Sequence, residues 1–94
     1  MPYSHLMDAV RKAIQILNES TAAFARRIGV QPPTVHEWVE GSRPVPPKRA
    51  LQIEQETGGK VTRAELRPDD FRELWPEFAA KLDRQTARAA ERNA

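Results

Sequence analysis

The sequence predicts an all-α fold built around a helix-turn-helix unit. Apolar residues recur at spacings of three and four in the first part of the chain, as they do on one face of a helix. The segment from Thr21 to Gly41 has the spacing of two helices joined by a glycine turn. Glycine and proline divide the rest of the chain into short segments. The 94 residues make one small domain.

The first helix is amphipathic, and we expect it to run from about His5 to Leu17. The polar sequence Asn18-Glu19-Ser20 then interrupts the helical pattern. The apolar stripe of this helix consists of Leu6, Val10, Ala13, Ile14 and Leu17.

The second and third helices form the helix-turn-helix unit. Ser20 or Thr21 can cap the second helix, which we expect to end at Ile28. Two prolines follow at 32 and 33, and the missing N–H of a proline costs nothing in the first turn of a helix. The third helix should therefore begin near Pro33, run to about Glu40 and end at the glycine that follows.

Six positions of this unit suit two helices that pack at an angle. Ala25 leaves room for a close crossing, and Gly29 can adopt the positive φ of a helix C-cap. The angle between the helices is filled by Ile28, Val30, Val35 and Trp38. Apolar spacing alone would also fit an ordinary helical corner in a bundle. The basic, proline-rich loop that follows favours a DNA-binding unit.

Two further helices are predicted after the unit. Residues 42–47 form an extended connector, and a fourth helix begins at Pro46 or Pro47 and continues to Thr57, where two glycines end it. Thr62 and Glu65 have the spacing of a capping box, which indicates a short fifth helix that ends by the proline at 68.

The C-terminal segment is predicted to be separate from the helix-turn-helix domain. We assign residues 1–75 to the DNA-binding domain and residues 76–94 to an Ala/Arg-rich helix or flexible tail. Arg84, Arg88 and Arg92 fall four apart on one face of this segment. They could touch phosphates, but the thin apolar stripe favours a solvated helix or a frayed tail.

The two tryptophans are both expected to lie in or against the core. We expect the indole N–H of Trp38 to find a carbonyl partner, because buried tryptophans usually do. Trp75 either closes the core as a lid or forms part of a dimer surface, and the first interpretation is favoured.

The charge of the chain is unevenly distributed along the sequence. The net charge is +2, of which residues 21–50 carry +3, residues 1–20 carry 0 and residues 51–94 carry −1. The positive excess therefore lies on and just after the helix-turn-helix unit. Phosphates would lie there if the third helix entered a major groove.

The composition excludes several classes of protein. Without cysteine there can be no disulfide and no thiolate metal site. The N-terminal sequence lacks a secretory signal pattern and no apolar run approaches the roughly 18 residues of a membrane span, so we expect a soluble, cytoplasmic protein with no membrane partner. The chain has no set of nucleophile, base and orienting group, so we predict no enzyme, and we predict no metal and no cofactor.

The exposed first turns of the third helix are the candidates for reading bases. Pro33 can meet a thymine methyl group, and Thr34 can bond to a base edge. Glu37 would accept from a cytosine N4 donor, or it would face solvent and pair with Arg26 or Arg27. His36 is expected to touch a phosphate or only water.

Phosphate contacts are predicted at the ends of the neighbouring helices. Thr21 lies at the start of the second helix, and Arg43 follows the third. Lys48 or Arg49 would supply a further contact from the start of the fourth helix.

These residues resemble the Cro/C1-type helix-turn-helix repressors, and in particular the YdaS-like prophage regulators. The segment IGVQPPTVHEWVEG resembles the family's helix-turn-helix, and the more specific segment GSRPVPPKRALQIEQETGGKVTRAELRPDDF resembles its continuation. The resemblance runs from His5 to about Pro76. Where the family commonly has Ser and then Gln, this chain has Gln31 and Pro32. Pro32 cannot make the usual adenine contact, so Gln31 would have to substitute for it.

The resemblance implies a compact five-helix, lambda-repressor-like domain that binds double-stranded DNA. It implies a homodimer or higher homo-oligomer on a palindromic operator and repression of the protein's own or a neighbouring operon, in a bacterial or phage-encoded protein at the nucleoid. It also implies an antitoxin-like label. The competing hypothesis is a module that binds a partner protein, with DNA contact secondary. Activation of transcription is a further alternative that the sequence leaves open.

Overall fold

A computed structural model describes the backbone of residues 4–93 and the side chains of residues 9–91. Within that range the chain is all-helical. The helices are α1 Ser4–Leu17, α2 Thr21–Ile28, α3 Pro32–Glu40, α4 Pro47–Glu56, α5 Arg63–Leu66, α6 Phe71–Leu74 and α7 Pro76–Asn93. The first five are the predicted helices, and α7 occupies the predicted C-terminal segment. The predictions on the side chains of Leu6 and Arg92 lie outside the described side chains.

Helix boundaries depart from the sequence prediction by a residue or two. Helix α3 begins at Pro32, so prolines occupy both of its first positions, where neither N–H is needed. Thr57 is the C-cap of α4 rather than its last residue. The buried Thr57 hydroxyl donates to the Ile53 carbonyl at 2.9 Å and accepts from the Val61 N–H at 3.2 Å. This side chain therefore ties the glycine turn to the end of α4.

The core lies between the five predicted helices. Helix α1 packs against α3 and α5, α2 packs against α3, and α4 packs against α5. The largest fully buried side chains are Trp38, Phe24, Ile28, Ile53, Leu66, Val10, Val35, Val45 and Val61. Trp38 is in the core as predicted, but its indole N–H has no partner among the described residues. The prediction that this N–H bonds to a carbonyl is therefore wrong, because the indole ring is enclosed by an apolar cluster.

Helices α6 and α7 cover one edge of the core. Trp75 is partly buried against the core cluster, which confirms its predicted role as a lid. The Arg63 guanidinium lies 5.5 Å from the ring centre of Trp75 and 4.4 Å from that of Phe78. The same arginine pairs with Glu54, at 2.5 Å from Nη2 to Oε1, and so links α4, α5 and α7.

The rest of α7 extends away from the body. Its main packing partner is α6, and its side chains from residue 83 to residue 91 are exposed. Over residues 4–93, none of the helices has the length and apolar character needed to cross a membrane.

Candidate nucleic-acid interface

The turn between α2 and α3 has the geometry that the sequence predicts. Ser20, not Thr21, caps α2, and its hydroxyl accepts from the Ala23 N–H at 3.1 Å. Gly29 has φ +86°, and the N–H groups of Gly29 and Val30 both donate to the Ala25 carbonyl, at 2.8 and 3.0 Å. This closed turn fixes the direction in which α3 leaves α2.

The first turn of α3 offers side chains to a ligand rather than backbone donors. Gln31 is the N-cap residue of α3, and its side chain makes no capping bond. Pro32 and Pro33 have no N–H, and the Thr34 N–H donates to the Gln31 carbonyl at 3.0 Å. Because all three positions lack a free donor, the start of α3 cannot hold a phosphate through its backbone. The side chain of Gln31 remains exposed.

Most of the predicted contact residues lie on the surface. Thr34, Glu37 and Arg49 are partly buried, and the exposed ones are Thr21, Gln31, Pro33, His36, Arg43 and Lys48. Val35 and Trp38 fill the opposite side of α3 with no exposed area. The predicted base-reading residues thus share one helix, and its other face is fixed in the core.

The structure gives Glu37 a partner that the sequence did not suggest. Arg43 lies after the end of α3, and its Nε is 2.7 Å from Oε2 of Glu37. The predicted pairing of Glu37 with Arg26 or Arg27 is therefore wrong. The connector turns back along α3 and brings Arg43 to the carboxylate.

Arg27 is held away from this surface by two carboxylates. It bonds to Glu19, and its Nη1 lies 3.2 Å from Oε2 of Glu56. The hydrogen bonds to Glu19, and secondly that to Glu56, raise the pKa of Arg27 above its usual range. The bond from Arg27 likewise lowers the pKa of Glu19. Arg27 therefore connects the α1–α2 turn to the end of α4.

Arg49 is also engaged within the protein. Its Nη1 donates to the carbonyl of Ile28, the last residue of α2, and to the side chain of Gln52, each at 2.9 Å. A cation at a helix C-terminus satisfies carbonyls that have no helical partner. Of the two predicted cations at the start of α4, Lys48 is the exposed one.

His36 pairs with a carboxylate on its own helix. Its Nε2 lies 2.9 Å from Oε1 of Glu40, one turn further along α3. Both side chains are exposed, so they form a polar edge beside the predicted base-reading residues.

Arg67 is a positioning residue that the sequence analysis missed. Its Nη1 donates to the Val45 carbonyl at 2.5 Å, and its other nitrogens bond to both carboxylate oxygens of Asp70. The bonds from Arg67 to Asp70 lower the pKa of that carboxyl. The connector of residues 42–47 contains Arg43. Arg67 anchors this connector at Val45 to the turn between α5 and α6. Arg67 and Val45 are 22 residues apart in the sequence, so no local sequence pattern predicts this bond.

The structure identifies no group of three or more His, Cys, Asp or Glu residues suited to a metal ion among the residues it describes.

Comparison with known proteins places this surface inside a recognised family. The family model described as "Bacterial toxin YdaS" matches residues 10–74, which run from within α1 to the end of α6 and leave α7 outside. A protein of Escherichia coli (strain K12) named "Putative transcriptional regulator YdaS" is 48% identical over 48 residues, which cover 51% of this chain and 49% of the relative. The alignment thus spans about half the length of that relative. By the extent of the family match, the chain belongs to the bacterial toxin YdaS family.

Proposed function

We propose that the chain is a sequence-specific regulator of transcription that places α3 in the major groove of double-stranded DNA. The observation that carries the proposal is the exposed face of α3, which follows the closed turn after α2. Arg43 contacts this face at Glu37, and Thr21 and Lys48 are exposed at the starts of α2 and α4. The name of the Escherichia coli relative supports the same function.

The division of labour follows from the chemistry of the exposed groups. The Gln31 amide and the Thr34 hydroxyl can bond to base edges, and the ring of Pro33 can contact a thymine methyl group. Arg43 and Lys48 can bind phosphates, and Thr21 can bind one at the start of α2. Arg49 supports this surface indirectly, because it fixes the end of α2 against α4.

The protein is proposed to act as a homodimer that represses its own or a neighbouring operon. One copy supplies one recognition helix, and two copies would read two half-sites about 34 Å apart on a palindrome. This role belongs in the bacterial cytoplasm, at the nucleoid, and requires no catalysis and no cofactor.

The proposal is tested by binding to the DNA upstream of the protein's own gene. We expect a preference of about a thousandfold or more over a scrambled duplex of the same length, as is typical of specific binders. Binding should be measured at two salt concentrations, because phosphate contacts make affinity fall steeply with salt. Equal, strongly salt-dependent binding to both duplexes would contradict sequence-specific regulation.

Two lysine variants provide a matched control. Lys48→Ala should weaken binding to every sequence and reduce the salt slope by about 1, because one phosphate contact is lost. Lys81→Ala removes the same charge from α7 and should leave both quantities unchanged. The same slope in both variants would contradict a specific role for the start of α4.

A second candidate function is a module that binds a partner protein. The description of the family as a toxin favours this second function. That description differs from the antitoxin-like label that the sequence resemblance implied. If DNA binding shows no preference for sequence, copurification of the full chain with partner proteins from a host lysate becomes the next measurement.

A further inference from the structure

The backbone after α3 holds Arg43 close to the last turn of that helix. Gly41 has φ +79°, and the Ser42 N–H donates to the Glu37 carbonyl at 3.0 Å, so the chain reverses immediately after α3. The Ser42 hydroxyl donates to the same carbonyl at 3.3 Å. Pro44 then restricts Arg43 to an extended conformation. Arg43 is therefore confined between a helix cap and a proline.

The side chains continue this arrangement. Arg43 uses Nε to contact Glu37, which leaves Nη1 and Nη2 without a bond among the described residues. The side chains of Arg43 and Glu37 are 54% and 37% exposed, so the two free nitrogens can reach a ligand. Two parallel N–H groups of a guanidinium match two oxygens of a phosphate.

The charges favour a joint role over separate ones. A carboxylate beside a DNA backbone is repelled by phosphates unless a cation neutralises it. Arg43 offsets the charge of Glu37, and the contact occupies Oε2, one of the two oxygens that could accept from cytosine. Arg43 also lies beyond the C-terminus of α3, whereas the base-reading residues occupy its first turns.

We infer that Glu37 is a positioning residue that holds the free edge of Arg43 toward a DNA phosphate, and that it does not read a base. This inference rests on the proposed function. It assigns to one unit two residues that the sequence analysis placed in different classes.

The inference is tested by a double-mutant cycle on the full chain, with the upstream DNA as ligand. The four proteins are the native chain, Glu37→Gln, Arg43→Ala and the double variant. Arg43→Ala should weaken binding and lower the salt slope by about 1. In that background Glu37→Gln should raise affinity, because it removes an unpaired carboxylate. In the native background, the effect of Glu37→Gln on affinity should be less favourable than in the Arg43→Ala background by about two- to fivefold. This is the range of coupling measured for exposed ion pairs.

Base preference is the readout that separates a positioning role of Glu37 from base reading. Every base of the site should be varied in turn for the native chain and for Glu37→Gln, and the pattern of preferences should be the same. Glu40→Gln is the matched control, because it removes a carboxylate from the same helix and leaves the pair intact. Its effect should be equal in the native and Arg43→Ala backgrounds.

Two results would overturn the inference while leaving DNA recognition in place. The first is additivity of the two substitutions, and the second is a change of preference at a single base pair in Glu37→Gln. If the native chain does not prefer its upstream DNA, the proposed function fails and the inference fails with it.

Discussion

Gly29 shows how one residue fixes the angle of the helix-turn-helix unit. Its φ of +86° lies in the left-handed region, and its N–H closes the end of α2 on the Ala25 carbonyl. A methyl group at this position would meet Arg49 Nη1 at 3.8 Å, which is ordinary contact. The requirement for glycine is therefore conformational and not one of space.

Substitution of Gly29 should cost stability through the backbone alone. We expect Gly29→Ala to lower the free energy of unfolding by about 1 kcal/mol, because a β-carbon is disfavoured in the left-handed region. Gly29→Asn should cost less, since asparagine tolerates that region. Urea unfolding followed by helix ellipticity measures both. Equal losses for the two variants would point to a steric cause instead.

At the level of elements, the Glu54–Arg63 pair joins α4 to α5. The Glu54 carboxylate accepts from the Arg63 side chain and from its backbone N–H, the latter at 2.8 Å. Burial by itself raises the pKa of Glu54, but the two kinds of bond from Arg63 together outweigh it, so the pKa lies below its usual value. The charged carboxylate is therefore the form that the fold stabilises.

This pair should make part of the stability depend on pH. Because the folded-state pKa is lowered, the contribution is fully present above about pH 4.3, the ordinary value for glutamate, and is lost as the pH falls through the folded value. We expect Glu54→Gln to cost about 1 kcal/mol at pH 7 and less at pH 3. Thermal unfolding at both pH values measures the difference, with the exposed Glu40→Gln as the control. A cost that does not change with pH would contradict this assignment.

For the molecule as a whole, α7 divides into an anchored and an unanchored part. Phe78 packs edge to face on Phe71, with ring centres 6.2 Å apart, and Ala79 is buried. Arg72 pairs with Asp83 at 2.9 Å, and the bond lowers the pKa of that carboxyl. From residue 84 to residue 91 every side chain is exposed.

Truncation should separate these two parts. A chain that ends at Gln85 keeps the aromatic contacts and the Arg72–Asp83 pair, so its Tm should remain within about 2 °C of the full chain. A chain that ends at Trp75 loses Phe78, and with it the contacts of that ring with Phe71 and Arg63. Because these contacts are lost, its Tm should fall by about 5 °C or more. Calorimetry of both proteins decides the matter. A large loss from the shorter deletion would show that the exposed part of α7 has a stabilising contact.

The sequence by itself determined the first five helices, most of their caps and the helix-turn-helix unit, but it did not predict α6. Ser20, Gly29, Gly41 and Thr62 act within a few residues of their own positions, so their effects can be read from local order. The apolar spacing of α1 and α3 likewise identified the buried faces, because helix periodicity fixes which residues share a face.

Only the tertiary structure decided which partners the charged side chains choose. Arg49 reaches the end of α2, Arg67 reaches the connector at Val45, and Glu37 pairs with Arg43 instead of Arg26 or Arg27. Long side chains can reach several partners at similar cost, and exposed ion pairs differ by only about 1 kcal/mol. The choice is therefore made by where the packed helices place each backbone, and that arrangement depends on contacts far apart in the chain.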